Sequence, residues 1–590
     1  MWETKAMKRI YDEWKTLYQQ FDRLLLLFAV VFMTVEVVWI PLNSWLSEVL
    51  LGLTGYAYLS PTNLLVVLSA RWWVTVLFFL QVLANLVIVY LEIGLLVLGL
   101  TRILKTDENL RSYLNFLFSA IRRILIRISV TKVLYVLVYS AVFFPFLRKI
   151  LQIYYVDKLI VPRFILDHFS KNPLIALLLM VVLFLFFWLA ARLLHSLPLI
   201  YGEEKSVGQA VRISFHKSKQ FGPWKSYFRL LWLVMGTGLS FLFIGLGLYA
   251  LQTVADRLPD QLAFGLAMVN LILLNLAHYG IVSLFLLKFI SYSAALDLSA
   301  PSQKKMQPGL RLGILLLAAL YFGTQAFISL YFPFQKLPVT ISHRGVDGEK
   351  GVQNTIDSLE NIAKLKPDYV EMDVQETKDG LFVVMHDTDL KALTGKRGGT
   401  HDYSLSELTQ MEASENGQSS PVPSFEDYLS RAEALQQKLL VEIKTTSADS
   451  PQMMENFLKA YGQRLIAGGH QMQSLDYGVI QAIKAYDKKL LSAFILPFNS
   501  IYPDTAADGY TMEYTSLDQV FTFKSWIRKK FVYAWTPNDE EGMVQALQLQ
   551  VDGIITDQLR ELQETMKSFS DHQSYADLLF LQVRLLLLQF

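Results

Sequence analysis

The chain contains no cysteine. Disulfides, thiolate nucleophiles and zinc or iron–sulfur sites built on Cys are therefore excluded, and any bound metal must be held by oxygen or imidazole. Charge is also scarce: Asp, Glu, Lys and Arg make up only 18% of 590 residues, against 53% hydrophobic and 13% aromatic residues, which is the balance of a membrane protein. A net charge of +2 gives no electrostatic case for nucleic acid or any strongly acidic partner. The scarcity is uneven, because long uncharged runs fill the first part while Asp, Glu and Lys crowd the stretch after about residue 340. Two solvents are implied: a multi-span membrane domain over 1–335, a water-facing domain over 336–570, and an apolar tail over 571–590.

A bilayer core takes about 20 apolar residues as helix. Seven stretches meet or approach that length: 22–41, 72–100, 131–148, 173–198, 229–252, 263–297 and 310–332. The piece 44–59 is shorter and carries Glu48 and two glycines, so it reads as interfacial or re-entrant, or else as an eighth span. No small-residue cleavage site follows the basic amphipathic start MWETKAMKRIYDEWK, which makes the first span a retained anchor. Short-loop Lys and Arg set orientation. Loops 101–130, 199–228 and 298–309 (with Lys304 and Lys305) are basic, whereas 42–71 and 253–262 are poor in cations; loop 149–172, with Lys149, Lys158, Arg163 and Lys171, is the exception. Seven spans from an inside N-terminus put everything after residue 332 outside the cell, and an eighth would reverse that. In 101–130 arginines interleave with apolar residues, as in an amphipathic helix on the inner membrane surface or a plain basic loop. Glu36, Glu92, Lys288 and His278 are the polar groups inside spans, where ionisable residues are functional candidates.

After Phe334 the pattern changes to short runs rich in Val and Ile, separated by helical stretches. Strands are expected at VTISH (339–343), YVEMDV (369–374), LFVVMH (381–386), LLVEIK (439–444), RLIAGG (464–469), LLSAFIL (490–496), YTMEYT (510–515), FVYAWT (531–536) and DGIIT (552–556). Helices at 355–366, 424–436, 451–462, 475–487 and 539–549 alternate with them. The expected fold is an all-α polytopic membrane domain followed by an α/β TIM-type (β/α)8 barrel. Nine candidates compete for eight places, and the surplus lies around 510–515 or at 381–386, the latter joined to its predecessor by the Asp379-Gly380 turn.

Side chains alternate along a strand, so Glu371 and Asp373 share one face, and Glu442 and Lys444 share another. Both pairs stand at strand C-terminal ends, where a barrel carries its active site, and His343 and His386 also end apolar runs. A single buried acid is an ordinary salt-bridged core residue, but several converging on one rim would each need a partner. Glu371, Asp373 and Glu442 form a hard oxygen site suited to Ca²⁺ or Mg²⁺. The two histidines titrate near neutrality and can act as acid and base, while Arg344 and Lys444 add cations suited to phosphate. The chemistry assembled is metal-assisted phosphoryl transfer.

The motifs HRG (343–345), NT (354–355), EMDVQETKDGLFVVMHD (371–387), VPSFEDYL (422–429), VEIK (441–444), WTPND (535–539) and DGIITD (552–557) resemble glycerophosphodiester phosphodiesterases over about 338–565. The N-terminal part is similar to the multi-span domain preceding this catalytic domain in some Gram-positive bacterial members. The resemblance implies a barrel that hydrolyses glycerophosphodiesters to glycerol 3-phosphate and an alcohol. It makes His343 and His386 the acid/base pair, Glu371, Asp373 and Glu442 the metal ligands, Arg344 and Lys444 phosphate contacts, Asn354 a site-lining residue and Trp535 a platform for the glycerol unit. It further implies attack of the adjacent glycerol hydroxyl on phosphorus, giving a cyclic phosphate that water opens. The family has Glu before the Asn-Thr pair where this chain has Gln353, which implies weaker metal binding. Residues 388–422 correspond to a small insertion capping the site, where Lys396 and Arg397 stand in a solvated loop or meet an anionic polymer.

The tail YADLLFLQVRLLLLQF (575–590) is too short for an ordinary span and is expected on the membrane surface or against the N-terminal spans. The first reading is thus a cell-membrane, extracellular-facing phosphodiesterase acting on a glycerophospholipid headgroup ester or polyglycerophosphate lipoteichoic acid, with membrane lipid as its partner. Two others remain: spans that transport or gather lipid for the barrel, and a non-catalytic glycerophosphate-binding protein. The oligomeric state has no sequence signal.

Overall fold

The computed structural model describes residues 2–60, 63–151, 173–220, 222–296, 308–331, 337–498, 501–571 and 574–587. Each of the seven apolar stretches falls on a helix: Trp2–Phe32 running through a π-helical turn into Ile40–Thr54, then Trp72–Lys105, Val130–Leu151, Pro173–Leu193, Pro223–Ala255, Asp260–Ala294 and Pro308–Tyr331. Among the described residues, five helical stretches are long and apolar enough to cross a membrane, and Val130–Ser140 and Leu316–Phe327 are shorter apolar pieces. The segment 44–59 is not a separate re-entrant piece: its helical part continues the first helix, in one 42-residue stretch from Glu13 to Thr54. Lys158, Arg163 and Lys171 of loop 149–172, and Lys304 and Lys305 of loop 298–309, lie outside the described residues.

The arginine-rich segment forms the helix Leu110–Ile126, capped by the Asn109 side chain on Ser112 N–H, with Tyr113, Leu117, Ala120 and Ile124 buried as one stripe. Arg111 and Arg122 stay exposed. This end of the bundle is tied together by Arg23 donating to Thr106 O at 2.7 Å, by Arg127 against Glu204, and by Lys288 paired with Glu13 at 2.6 Å.

The C-terminal domain is built on eight parallel strands: β1 (Val339–Ser342), β2 (Tyr369–Glu376), β6 (Leu439–Ile443), β7 (Gln471–Ser474), β8 (Ser492–Leu496), β9 (Gly509–Glu513), β10 (Phe531–Trp535) and β11 (Gly553–Thr556). Pairing of β1 with both β11 and β2 closes the barrel. Of the two suggested surplus strands, 381–386 is the hairpin arm: β3 (Phe382–Val384) runs antiparallel to β2. The RLIAGG strand is a misreading, because those residues finish the helix Met453–Ala467 and its glycine stop. The missing strand is β7, which begins two residues after it at Gln471. Its QMQS sequence has no apolar run, because Gln471 and Gln473 point into the barrel and only Met472 joins the core beneath the helices.

Outward-facing Val370, Met372, Val374, Val441 and Ile443 pack against the surrounding helices, and inward-facing Ile341, Leu440, Tyr533 and Ile555 plug the barrel. Within the plug layer Gln471 is paired with the Tyr369 and Tyr533 hydroxyls, and the carboxylates stand above it at the C-terminal rim. The insertion packs Leu390, Leu393, Leu408 and Met411 onto Val352, Val383 and Met385 and carries a hairpin, β4 (Glu412–Glu415) with β5 (Gln418–Pro421).

The domains meet along the first long helix and the segment after it, where Leu51 and Val67 pack with Ile501 and the Asp504 N–H donates to Ala57 O at 2.8 Å. Glu48 on the first long helix pairs with Lys524 and, at 3.2 Å, with Arg528 of the barrel helix Gln519–Ile527, while Tyr58 packs on Tyr477 and Phe494. The tail forms the helix Tyr575–Leu587, which lies against Pro223–Ala255 and Asp260–Ala294 with Leu578, Leu579 and Val583 buried. Tyr575 donates to Asp260 at 2.9 Å, so the tail starts beside loop 253–262.

Candidate active site

Parallel register places Asp373 of β2 beside Glu442 of β6, and Glu442 beside Gln473 of β7. Glu371 lies one inward position deeper on β2. One ligand oxygen from each of Glu371, Asp373 and Glu442 lies within 4.8 Å of the others, and all three side chains are buried. The rim opens into a cavity of about 1020 Å³ lined by His343, Arg344, His386, Lys444, Trp535 and these carboxylates. Eight of the nine residues singled out from the sequence thus share one cavity. Asn354 stands behind it, donating to Asp373 at 2.9 Å and accepting from the Asp373 N–H at 3.2 Å.

The loop after β1 turns sharply, with Arg344 and Asn354 both at positive φ (52° and 60°). Such a conformation is costly for residues other than glycine. Here it aims the Arg344 N–H at Glu371 Oε2, 3.0 Å away, while the guanidinium approaches Asp373 at 3.7 Å. Lys444 bridges Asp373, at 3.2 Å, and Glu442. Gln473 donates to Glu371 and Glu442 at 3.3 Å each, and Thr511 fixes its amide by donating to Gln473 Oε1 at 2.9 Å.

Both histidines are oriented through Nδ1: His343 by Asp557 at 2.7 Å, His386 by Asp387 at 2.7 Å. Their other ring nitrogens are left toward the cavity, and His343 Nε2 stands 4.0 Å from Glu371. Their electrostatics diverge. Burial opposes charge on His343, but Asp557 outweighs it, so its pKa is raised above the usual imidazole value. At His386 burial wins over the attraction of Asp373, and the pKa is lowered.

Burial, with Asp373 adjacent, pushes Glu371 up to about 8, and burial raises Glu442 as well. Burial works the same way on Asp373, but Lys444 and Arg344 outweigh it and hold that carboxyl well below the usual range. Buried carboxylates that resist ionisation in the absence of a cation are what a hard divalent ion would bind, and the all-oxygen donor set fits it. The three acidic residues can hold a metal ion.

Four contributors were not singled out from the sequence. Asp557 follows β11 within DGIITD, and the argument used for the other rim acids would have found it. Asp387 directly follows His386 and could have been found as its orienting partner. Gln473 was hidden in the polar strand. Glu415, in the insertion hairpin, accepts from Gln353 N–H at 3.1 Å and from its side-chain amide at 2.8 Å, while Gln353 Oε1 accepts from Arg344 at 2.7 Å. A second cluster, Glu376, His401 and Asp449, straps the insertion to the barrel: His401 meets Asp449 at 2.8 Å, and Ser450 N–H and Oγ each donate to Glu376 at 2.6 Å.

Comparison with known proteins agrees with this division of the chain. The family described as "Membrane domain of glycerophosphoryl diester phosphodiesterase" matches residues 10–325, and the "Glycerophosphoryl diester phosphodiesterase family" matches residues 343–561. A glycerophosphodiester phosphodiesterase of Caldanaerobacter subterraneus subsp. tengcongensis is 25% identical over 228 residues, covering 37% of this chain and 93% of that protein. One of Bacillus altitudinis is 24% identical over 235 residues, with the same 37% and 93% coverage. A solved Oleispira antarctica phosphodiesterase in complex with the product sn-glycerol-3-phosphate has 21% identity and a TM-score of 0.35, covering 41% of this chain and 99% of that one.

Both family matches describe one kind of protein, a multi-pass membrane phosphoric diester hydrolase. The chain belongs to the glycerophosphodiester phosphodiesterase family, with that family's membrane domain ahead of its catalytic barrel.

Proposed function

We propose that this enzyme cleaves glycerophosphodiesters to glycerol 3-phosphate and an alcohol at the outer face of the cell membrane, with His386 as the first base and His343 as the first acid. The observation that carries the assignment is a pair of imidazoles on one cavity, each held through Nδ1 by a carboxylate, whose pKa values are displaced in opposite directions: Asp557 outweighs burial and raises that of His343, while burial lowers that of His386. Groups whose environments push their pKa values apart divide acid and base work between them. His386 takes the proton of the glycerol hydroxyl next to the phosphate as that oxygen bonds to phosphorus, and His343 protonates the departing alkoxide. The cyclic phosphate is then opened by water with the roles exchanged: His343, now neutral, deprotonates water, and His386 returns its proton to the glycerol oxygen.

Glu371, Asp373 and Glu442 would hold Ca²⁺ or Mg²⁺, which when bound supplies positive charge to the phosphoryl oxygens. Arg344 and Lys444 add their charges to the same region, and Trp535 offers its ring to the glycerol unit. Substrates of this class include phospholipid headgroup esters and polyglycerophosphate lipoteichoic acid, and a membrane-held substrate accounts for the spans.

Outward placement is supported by the ends of the bundle. The barrel and tail meet residues around Glu48, Tyr58 and Asp260, in the two loops poor in Lys and Arg, whereas the arginine-rich segment 101–130 lies at the other end, where Arg23 of the first helix bonds Thr106 O and Arg127 meets Glu204. The test is to incubate detergent-purified enzyme with glycerophosphocholine, glycerophosphoethanolamine, lipoteichoic acid and lysophospholipid, with Ca²⁺, Mg²⁺ or chelator, and to assay glycerol 3-phosphate. Full turnover by His343→Ala and His386→Ala would refute the assigned roles. Protease protection of the barrel in intact cells, with cleavage in inverted vesicles, would refute the placement.

A further inference from the structure

One barrel helix is built unlike its neighbours. On Gln519–Ile527, Phe521 and Ser525 face the barrel core, but Val520, Phe523, Trp526 and Ile527 are 50%, 59%, 73% and 57% exposed. At 100° per residue these four fall within about 120° of arc, a single apolar face. Phe523 and Trp526 stack with ring centroids 6.0 Å apart, which makes the face flat and aromatic. Elsewhere on the barrel the exposed large hydrophobics among the described residues are Leu337, Leu381, Leu475, Tyr486 and Leu491, single positions on different elements. Scattered exposure of that kind is ordinary; a concentrated patch on one helix is not.

The position of the face says what covers it. Lys524 and Arg528, along its edge, pair with Glu48 on the helix that continues the first membrane-spanning stretch. On that partner helix Leu42, Trp45, Val49 and Leu53 are 48%, 60%, 38% and 38% exposed. Two apolar faces therefore flank one ion-pair seam, and one of them belongs to a helix rooted in the bilayer. Aromatic and aliphatic side chains beside cations are the composition that settles at the headgroup boundary, with the rings in the acyl region and the ammonium or guanidinium groups toward phosphate.

We propose that the face Val520, Phe523, Trp526 and Ile527 is immersed in the lipid interface, so that the barrel rests on the bilayer as well as being joined to the spans. The occupant is lipid, not a second copy of the chain. This inference concerns placement and stands whether or not the proposed substrate class is right.

The absence of cysteine makes the test clean, because each introduced thiol is unique. Full-length Phe523→Cys, Trp526→Cys and, as a polar-surface control, Lys459→Cys are labelled with an environment-sensitive fluorophore. They are reconstituted in phosphatidylethanolamine/phosphatidylglycerol vesicles and screened for an unchanged melting temperature. At 523 and 526 the expected result is a blue shift on reconstitution, quenching by shallow doxyl-labelled lipid and loss of quenching by aqueous iodide, while 459 shows the reverse. Iodide quenching at 523 and 526 equal to that at 459 overturns the proposal. So does shielding from both quenchers with chain-to-chain thiol crosslinks, which would identify a second copy as the occupant. Should a cavity at 523 or 526 lower the melting temperature, Val520→Cys reads the same face with a smaller change.

Discussion

Gln353 and Glu415 are joined by two hydrogen bonds across 62 residues of sequence, one to the Gln353 backbone N–H and one to its side-chain amide. The oxygen of that amide accepts a hydrogen bond from the Arg344 guanidinium, so an acid on the insertion hairpin steers a cation at the rim. Glu415→Ala should therefore lower kcat/KM about tenfold, the equivalent of about 1.4 kcal/mol for one charge-assisted contact. Gln353→Glu would set a carboxylate against Glu415 and should cost more, while Gln353→Glu with Glu415→Gln should recover most of the loss. Additive losses in that double-mutant cycle would show the pair to be uncoupled.

The pH profile should be a bell. Activity needs His386 unprotonated, and its pKa is lowered by burial, so the acid limb lies below the ordinary imidazole value. It also needs His343 protonated, and its pKa is raised by Asp557, so activity falls only above that value. Asp557→Asn removes the charge that opposes burial at His343, and the alkaline limb should move to lower pH while the acid limb stays. A profile of kcat/KM against pH in which both limbs move together would contradict the division of roles.

Metal binding should register in stability as well as in turnover. A cation bound by folded protein at 100 times its Kd adds about 2.7 kcal/mol. Thermal melting of the barrel transition should rise with Ca²⁺ or Mg²⁺ and lose that response in Glu371→Gln/Asp373→Asn. A shift retained in the double variant would place the ion elsewhere.

The tail docks through one close approach. A Cβ on Gly245 would stand 2.6 Å from Val583 Cγ1, so Gly245→Ala should overpack this seam and cost about 1–3 kcal/mol. Val583→Ala alone should cost less, and combined with Gly245→Ala it should restore the melting temperature. Failure of that rescue would mean the tail does not bind there.

Period-two alternation placed Glu371 and Asp373 on one face of their strand, and the strand-end position of Glu442 put it at the same rim. The apolar runs likewise marked seven of the eight barrel strands. The eighth, QMQS, was invisible to hydrophobicity because its inward side chains are amides, Gln473 reaching the site carboxylates and Gln471 bonding the Tyr369 and Tyr533 hydroxyls inside the barrel, and the helix end before it supplied a more apolar decoy. Glu415 was beyond reach for a different reason: its contact depends on how the insertion folds back, and nothing local to ENGQ signals a partner at Gln353. The docking of the tail was legible only as two alternatives, since its length excludes an ordinary span but does not reveal Gly245.

The barrel is held by the seam at Glu48, by Tyr58 against Tyr477 and Phe494, and by the tail helix along Pro223–Ala255. A body fastened to a sheet at one point can swing, whereas three separated fastenings leave it no axis to turn about. The cavity mouth is thereby restricted in its heading relative to the apolar helices. Such an enzyme samples a thin layer of fixed thickness, so its turnover of membrane-held substrate should scale with the mole fraction of that substrate in the sheet and not with its amount per volume of water.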